Sequence, residues 1–277
     1  MKISVCTNRE ILSPCGLKDI DYQVDTYVGC EHYCYYCYAL AQAETDWSKE
    51  ILIHKEIVDQ LSGEIDKVSP QTVYIGYHTD PYQPCEAEFH QTRKVLKLLL
   101  EKEFSASILT KSDLVVRDID ILKEMKSAAV SVSVAFNDNR TRQLFEANTM
   151  DTEKRIEALR QLKKAGIRTG ALVCPVIPYI SDAIQLINRL IPYTDEIWIY
   201  GLSINDRSGQ NWLNIQKILN SQFPNLVEQI ESVLFSKEHV YWEQLRENLI
   251  KLKNDQQLNL NITLIQSAQL NRGIGSL

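Results

Sequence analysis

The chain has 277 residues, 44% of them hydrophobic and 24% charged, with a formal net charge of −6 and a pI near 5.5. That acidic balance gives no support to broad non-specific binding of nucleic acid or of an anionic membrane, and no apolar run has the length of a bilayer span. The length suits one large core, since barrels and α/β folds of this size are commonly undivided.

Met1 to Leu12 is interrupted by Asn8, Arg9 and Glu10, so it does not read as a signal peptide. A cytoplasmic, reducing location is expected, where clustered cysteines serve as ligands or catalysts more often than as disulfides. Residues 1–24 read as a lead-in, and Asp25 to Val28 as a short first strand feeding a cysteine-rich loop. Ile51 to Asp66 is predicted to be a helix with an extended start, broken at Val68-Ser69-Pro70. Thr72 to Tyr77 is a strand, and Glu88 to Lys102 a helix with Val95, Leu96, Leu99 and Leu100 as its apolar stripe. Strand Ala106–Thr110, helix Arg117–Lys126 and strand Ala129–Phe136 follow.

Asp151 is the expected N-cap of a helix that ends at Ala165, and Gly166 is the residue that lets it stop. Thr169 to Val173 is a strand, Asp182 to Ile191 a helix capped by Ser181, and Glu196 to Tyr200 a strand. The pattern then changes: Trp212–Phe223, Leu226–Leu234 and Lys237–Lys253 look helical, with one late strand at Asn261–Ile265. Strands alternating with helices of this length imply βαβ units and a parallel sheet, joined by right-handed crossovers. About six units are counted, short of the eight in a closed barrel. The expected fold is therefore α/β: a partial (β/α)6 TIM-like barrel of parallel strands with extra C-terminal helices. Residues 1–277 are read as one domain, with a lead-in at 1–24, a barrel core at 25–206 and a helical extension at 207–277.

The loop Tyr27-Val28-Gly29-Cys30-Glu31-His32-Tyr33-Cys34-Tyr35-Tyr36-Cys37-Tyr38-Ala39 carries three cysteines at C-x3-C-x2-C spacing. Random placement of the chain's seven cysteines would give this spacing in well under about one such chain in a hundred, which argues against coincidence. Thiolates are soft ligands for iron–sulfur clusters, zinc or copper(I). A [4Fe–4S] cluster takes four cysteines, one per iron, so three leave one iron open to a ligand that is not protein.

In barrels of this type the site forms at the carboxyl ends of the strands. Those ends hold Cys30, Thr79-Asp80, Lys111, Ser133, Cys174-Pro175 and Asn205-Asp206. In strand 129–136, Ser131, Ser133 and Ala135 share one face, suited to a polar cofactor, while Val130, Val132 and Val134 suit packing against helices. Each feature also has a plain reading: Asp80-Pro81 is a common turn pair, Lys111 can be a solvated charge, and serine occurs in strands.

With these residues in place, the chain resembles the radical-SAM superfamily, whose C-x3-C-x-aromatic-C motif is matched by Cys30, Cys34, Tyr36 and Cys37. More narrowly it is similar to the spore photoproduct lyase-like branch. The phrases YVGCEHYCYYCYA, GYHTDPYQ, TKSDLVVRD and LKKAGIRTGALVCPVIP carry that likeness across roughly residues 11–206. The resemblance implies a [4Fe–4S] cluster held by Cys30, Cys34 and Cys37, and S-adenosylmethionine (SAM) on the open iron. Reductive cleavage of SAM would then give a 5′-deoxyadenosyl radical that takes hydrogen from a substrate, with an electron from a reductant such as flavodoxin or ferredoxin. It further implies Tyr36 near the adenine, Thr79 and Asp80 at the SAM amino group, and Lys111 and Ser133 at its carboxylate. Ser131 is the alternative to Ser133. Arg155 matches an arginine of the branch with no assigned role, and its plain reading is an exposed helix charge.

Departures from the branch bear on the substrate more than on the chemistry. Tyr77 stands where the lyase has a cysteine that returns a hydrogen atom, so Tyr77 and the tyrosine pair Tyr36 and Tyr38 are the candidate radical-handling residues. Cys85 and Cys174 lie on neighbouring loops, though buried cysteine often serves only as a small hydrophobe. Glu146-Ala147 replaces a Glu-Pro pair frequent in the branch. The region after Asn214 has no lyase-like match, so the substrate is open and DNA is only weakly supported. Two other readings are a zinc protein using the three cysteines with His32 or His78, and a cluster protein serving electron transfer alone.

Overall fold

The structure, a computed structural model, describes residues 1–264 apart from Asn8, Asn205 and Lys237. Its strands are β1 (Lys2–Cys6), β2 (Leu12–Pro14), β3 (Tyr22–Val24), β4 (Tyr27–Val28), β5 (Glu50–His54), β6 (Thr72–Ile75), β7 (Ser105–Thr110), β8 (Ala129–Ser133), β9 (Arg168–Val176), β10 (Glu196–Gly201) and β11 (Leu260–Thr263). Eight of them form one sheet in the order β11-β10-β9-β8-β7-β6-β3-β2. Every neighbouring pair from β3 to β11 is parallel, and β2 runs antiparallel to β3. The two edge strands, β11 and β2, do not pair with each other, so the sheet stays open as a partial barrel.

Helices Gln91–Glu101, Thr152–Lys164 and Ala183–Leu190 return the chain between parallel strands. Their stripes, Val95-Leu96-Leu99, Ile156-Leu159-Leu162 and Leu186-Ile187-Leu190, share a buried core with Val73, Ile75, Ile108, Val130, Val132 and Val173. Each such side chain contributes roughly 1.5–3 kcal/mol on burial. Strand β8 alternates as its sequence implies: the valines enter this core, which leaves Ser131 and Ser133 for the opposite face.

Several boundaries differ from the sequence expectation. The lead-in contains β1, β2 and β3, and the first barrel strand is β3, not Asp25–Val28. Tyr27–Val28 instead joins a second sheet, β1-β5-β4, in which β5 is the extended start expected before helix Ile57–Ile65. Asp25 leaves the strand because its carboxylate accepts from the backbone N–H groups of Tyr77 and His78 at 3.1 and 3.0 Å. The helix expected over Glu88–Lys102 is two, Glu86–Phe89 and Gln91–Glu101, divided where His90 adopts φ +53°. Arg117–Lys126 is shorter than expected, a 3-10 turn Asp113–Asp118 and a helix Ile119–Leu122. Asp182, not Ser181, caps the helix Ala183–Leu190, accepting from Gln185 N at 2.9 Å, while Ser181 Oγ accepts from Ile177 N. Asp151 precedes its helix but turns its carboxylate to Arg142, at 3.1 Å.

The C-terminal helices are Gln210–Gln222, Val227–Phe235 and Val240–Gln256, after which β11 returns to the sheet. The expected ends at Lys237 and Ile265 lie outside the described residues. No helix among those residues is long and apolar enough to cross a membrane.

Candidate functional site

The cysteine loop follows β4 through Gly29, whose φ of +93° disfavours a side chain. A Cβ there would also stand 2.9 Å from Ile51 Cδ1 and from Trp47 Cδ1. Successive turns then carry the loop: Tyr33 N donates to Cys30 O at 3.2 Å, and Cys37 N to Cys34 O at 3.0 Å. Tyr27, Ala39, Trp47, Ile51 and Cys85 form the apolar cluster against which Cys30, Cys37, Ile3 and Ile53 pack, so the second sheet is the bed of the loop.

Cys34 is buried and the residues Cys30 and Cys37 are partly so. Burial pushes the thiols of Cys30 and Cys34 well up, with Asp80 and the other two cysteines adding for Cys30, and Glu146 and Cys37 for Cys34. Cys37 is also raised by burial. The three sulfurs therefore share one electrostatic neighbourhood that resists three bare thiolates. A coordinated metal deprotonates a thiol outright, so this donor set fits a cationic iron–sulfur centre. The zinc reading fits less well. Among the described residues no three His, Cys, Asp or Glu side chains, the three cysteines included, converge on a point that would hold one metal ion. His32 is turned to Asn148 O and Asp80 Oδ2, at 3.1 and 3.3 Å, and His78 Nδ1 lies 2.8 Å from Asp25 Oδ2.

The loop after β6 is stitched directly to the cysteine loop. Thr79 Oγ1 donates to Gly29 O. Gln83 Nε2 donates to Gly29 O at 3.2 Å and to Thr79 Oγ1 at 3.0 Å, while its Oε1 accepts from Glu31 N at 2.8 Å. Asp80 is buried, and its Oδ1 accepts from Tyr82 N at 2.8 Å and Thr110 Oγ1 at 2.6 Å. Its Oδ2 accepts from Lys111 N at 2.7 Å. Burial works against this carboxylate, but His32 and the donors from Thr110 and Lys111 outweigh it and hold the pKa at about 2. Asp80 thus fixes the ends of β6 and β7 as a charged strut.

Beyond it, Lys111 Nζ donates to Ser133 Oγ at 2.9 Å and stands 5.9 Å from the centre of the Tyr36 ring. Among the described residues no carboxylate lies within ion-pair reach of this ammonium. Ser133 Oγ also approaches Cys174 O, at 3.4 Å. Burial pushes the Cys174 thiol up to about 11 despite the pull of Lys111, with Glu146 and Cys37 adding to the rise. Ser131 sits two residues back along β8, against Gly170, where an added Cβ would stand 2.4 Å from its Oγ. Of the two serines, Ser133 is the one that meets Lys111.

Arg155 is a buried residue, not the exposed helix charge of its plain reading. Its Nη1 donates to Ser133 O at 2.9 Å, Nε to Met150 O at 2.7 Å, and Nη2 to Glu146 Oε2 at 2.6 Å. It stands behind the end of β8, its donors taken by protein. Glu146 Oε1 in turn accepts from the Tyr36 hydroxyl.

The other two tyrosines are separate from this group. Tyr38 is half exposed and donates its hydroxyl to Tyr77 O, while the Tyr77 ring meets Tyr74 and His78 edge-on at 6.2 and 4.7 Å. The hydroxyls of Tyr36 and Tyr38 therefore bind different partners, and no ring contact joins the two among the described residues. Cys85 is packed in the apolar bed, its N–H turned to Glu31. Asp206 is exposed and bonds Ser208, and Asn205 lies outside the described residues. Asp25, Gln83 and the pairing of His32 with Asp80 escaped the sequence, which singled out Glu146 only as a departure from the branch without a role. The one sequence signal for Asp25 is a charge set between Val24 and Thr26 at a strand end.

The radical SAM superfamily profile matches residues 24–190. The chain is 30% identical to an uncharacterised protein of Methanocaldococcus jannaschii, MJ0683, over 188 residues covering 66% of this chain and 71% of that one. It is 28% identical to an uncharacterised protein of Mycobacterium bovis over 61% of this chain and 54% of that one, about half the relative's length. Among solved structures, a spore photoproduct lyase variant with bound AdoMet and dinucleoside spore photoproduct superposes with a TM-score of 0.62 at 14% identity, covering 95% of this chain and 82% of that one. SuiB of Streptococcus suis bound to S-adenosylmethionine superposes with a TM-score of 0.58 at 14% identity, over 89% of this chain and 50% of that one. At such identities these two structures bear on the fold alone. The motif at Cys30, Cys34 and Cys37, the open parallel sheet and the profile match agree: this chain belongs to the radical SAM superfamily and is an enzyme of that kind.

Proposed function

We propose that this enzyme holds a [4Fe–4S] cluster on Cys30, Cys34 and Cys37 and binds SAM between the cysteine loop and the ends of β6, β7 and β8. The observation that carries the reading is Lys111, an ammonium without a carboxylate partner among the described residues, poised on Ser133 Oγ at 2.9 Å and 5.9 Å from the Tyr36 ring of the cysteine loop. When bound, cluster and SAM supply one-electron cleavage of SAM and a carbon radical able to take hydrogen from a substrate. Lys111 and Ser133 offer the charge and hydroxyl that suit the SAM carboxylate, Tyr36 offers an aromatic face to its adenine, and Thr79 stands at its amino group. Asp80 orients these groups and contributes negative potential to the amino side. Ser131 is the alternative to Ser133 in this reading, and Tyr38 and Tyr77, joined by the Tyr38 hydroxyl on Tyr77 O, are the candidates for handling hydrogen, Tyr77 standing where the lyase has cysteine. A reductant of the flavodoxin or ferredoxin kind supplies the electron. The return of β11 to the main sheet supports reading the chain as one domain with a C-terminal helical extension.

The net charge of −6 and Tyr77 both weigh against a thymine-dimer substrate, so no substrate is assigned. The reading is tested by anaerobic iron–sulfur reconstitution, followed by electron paramagnetic resonance of the reduced protein as SAM is added. The wild-type spectrum is expected to change with SAM, the change to need about tenfold more SAM in Lys111→Ala, and Cys34→Ala to hold no cluster while Cys85→Ala does. A wild-type spectrum indifferent to SAM contradicts the proposal.

A further inference from the structure

The segment 145–149 fastens to the cysteine loop at several points. Tyr35 N donates to Phe145 O at 3.0 Å, Asn148 Nδ2 to Glu31 O at 3.1 Å, and the Tyr36 hydroxyl to Glu146 Oε1. The same segment is fastened from behind. Arg142 Nη1 donates to Glu146 O at 2.8 Å and to Thr149 O at 2.9 Å. Arg155 joins Glu146 Oε2 at 2.6 Å to the backbone oxygen of Ser133 at 2.9 Å. Arg155 and Glu146 are 1% and 0% exposed. A buried ion pair is weak evidence of a stabilising role, because apolar residues of similar volume often serve stability as well or better. Here each end of the pair reaches a different wall of the pocket: Tyr36 on the cysteine loop, and Ser133 at the end of β8.

We propose that Glu146 and Arg155 are positioning residues for SAM, a clasp that fixes the spacing between the Tyr36 wall and the Lys111–Ser133 wall. The inference rests on the cofactor reading given above. Arginine suits the task because its fork reaches Met150 O, Ser133 O and Glu146 from one rigid plane, which a lysine cannot copy. Glutamate suits it because one oxygen takes the phenol while the other holds the guanidinium.

The test compares wild type, Tyr36→Phe, Glu146→Gln, Arg155→Lys and the double variant Tyr36→Phe/Glu146→Gln after anaerobic reconstitution. Iron and sulfide content, amide hydrogen exchange of residues 29–40 before SAM is added, and SAM affinity by equilibrium dialysis are measured. The clasp is expected to leave cluster content at the wild-type level, to speed exchange in the loop, and to weaken SAM binding about tenfold in Tyr36→Phe and Arg155→Lys. Glu146→Gln, which keeps an acceptor for the phenol, is expected to fall between these and wild type. The double variant is expected to lose less than the sum of the two single losses. Tyr36→Phe removes one hydroxyl and leaves the ion pair intact, so it decides the matter should the charge variants fail to fold. Normal wild-type binding with loop exchange and SAM affinity unchanged in Tyr36→Phe overturns the clasp alone. Wild-type protein that binds no SAM overturns the cofactor reading, and the assignment of the clasp to SAM with it.

Discussion

Asp80 has both carboxylate oxygens occupied by protein donors from Tyr82, Thr110 and Lys111. Its pKa is held at about 2, below the value of about 3.9 for an unfolded chain. A depressed carboxylate stabilises the fold above the unfolded value, and that stabilisation is lost as pH falls through the folded value. Asp80→Asn is therefore expected to cost about 3 kcal/mol at neutral pH, because a buried charge is removed and one of its two acceptor oxygens becomes an amide NH2 facing a donor. The gap between wild type and variant should hold down to about pH 4 and narrow toward pH 2, read from denaturant unfolding at a series of pH values. A gap independent of pH would contradict the strut. At this scale Lys111, Ser133 and the cysteines are legible from sequence, because strand ends and metal spacing announce them. Arg155 is not, since a charge flanked by Lys154 and Ile156 gives no sign that its helix face is covered.

The loop between β6 and helix Glu86–Phe89 depends on Gly76, which has φ +103° and would place a Cβ 2.5 Å from Leu109 O. That contact is with the backbone of β7, which cannot turn aside. Gly76→Ala is expected to destabilise by about 2 kcal/mol or more. It should also weaken SAM binding, since the loop carrying Thr79 and Asp80 starts there. Chemical denaturation and SAM titration check the two effects, and wild-type stability in the Gly76→Ala variant would contradict this account of the turn. The parallel strands β6 to β10 are legible because β-branched runs alternate with amphipathic helices. The second sheet is not. Its strand β1 is half-exposed, and β4 is two residues long and gains its identity only by pairing with β5. The same pairing turns the start of an apparent helix at Ile51 into the bed of the cysteine loop.

Over the whole molecule, the eight-stranded open sheet gathers the ends of β6, β7, β8 and β9 around one region, and β4 of the second sheet delivers the cysteine loop to it. Lys111 reaches Ser133 at the end of β8 and stands 5.9 Å from the Tyr36 ring of the cysteine loop. Superfamily membership was legible in the spacing of Cys30, Cys34 and Cys37 and in the strand-end order. The substrate was not, because the helices after residue 209 have no motif that names one. In the proposed enzyme three thiols leave an iron for SAM, and reduction of the cluster starts the chemistry. Reducing the anaerobically reconstituted protein in the presence of SAM and separating the products by chromatography tests this most directly. Iron and sulfide are expected in equal amounts, with 5′-deoxyadenosine formed by wild type and none by Cys34→Ala. Zinc without sulfide, or a complete cluster that yields no 5′-deoxyadenosine with any of several reductants, would contradict it.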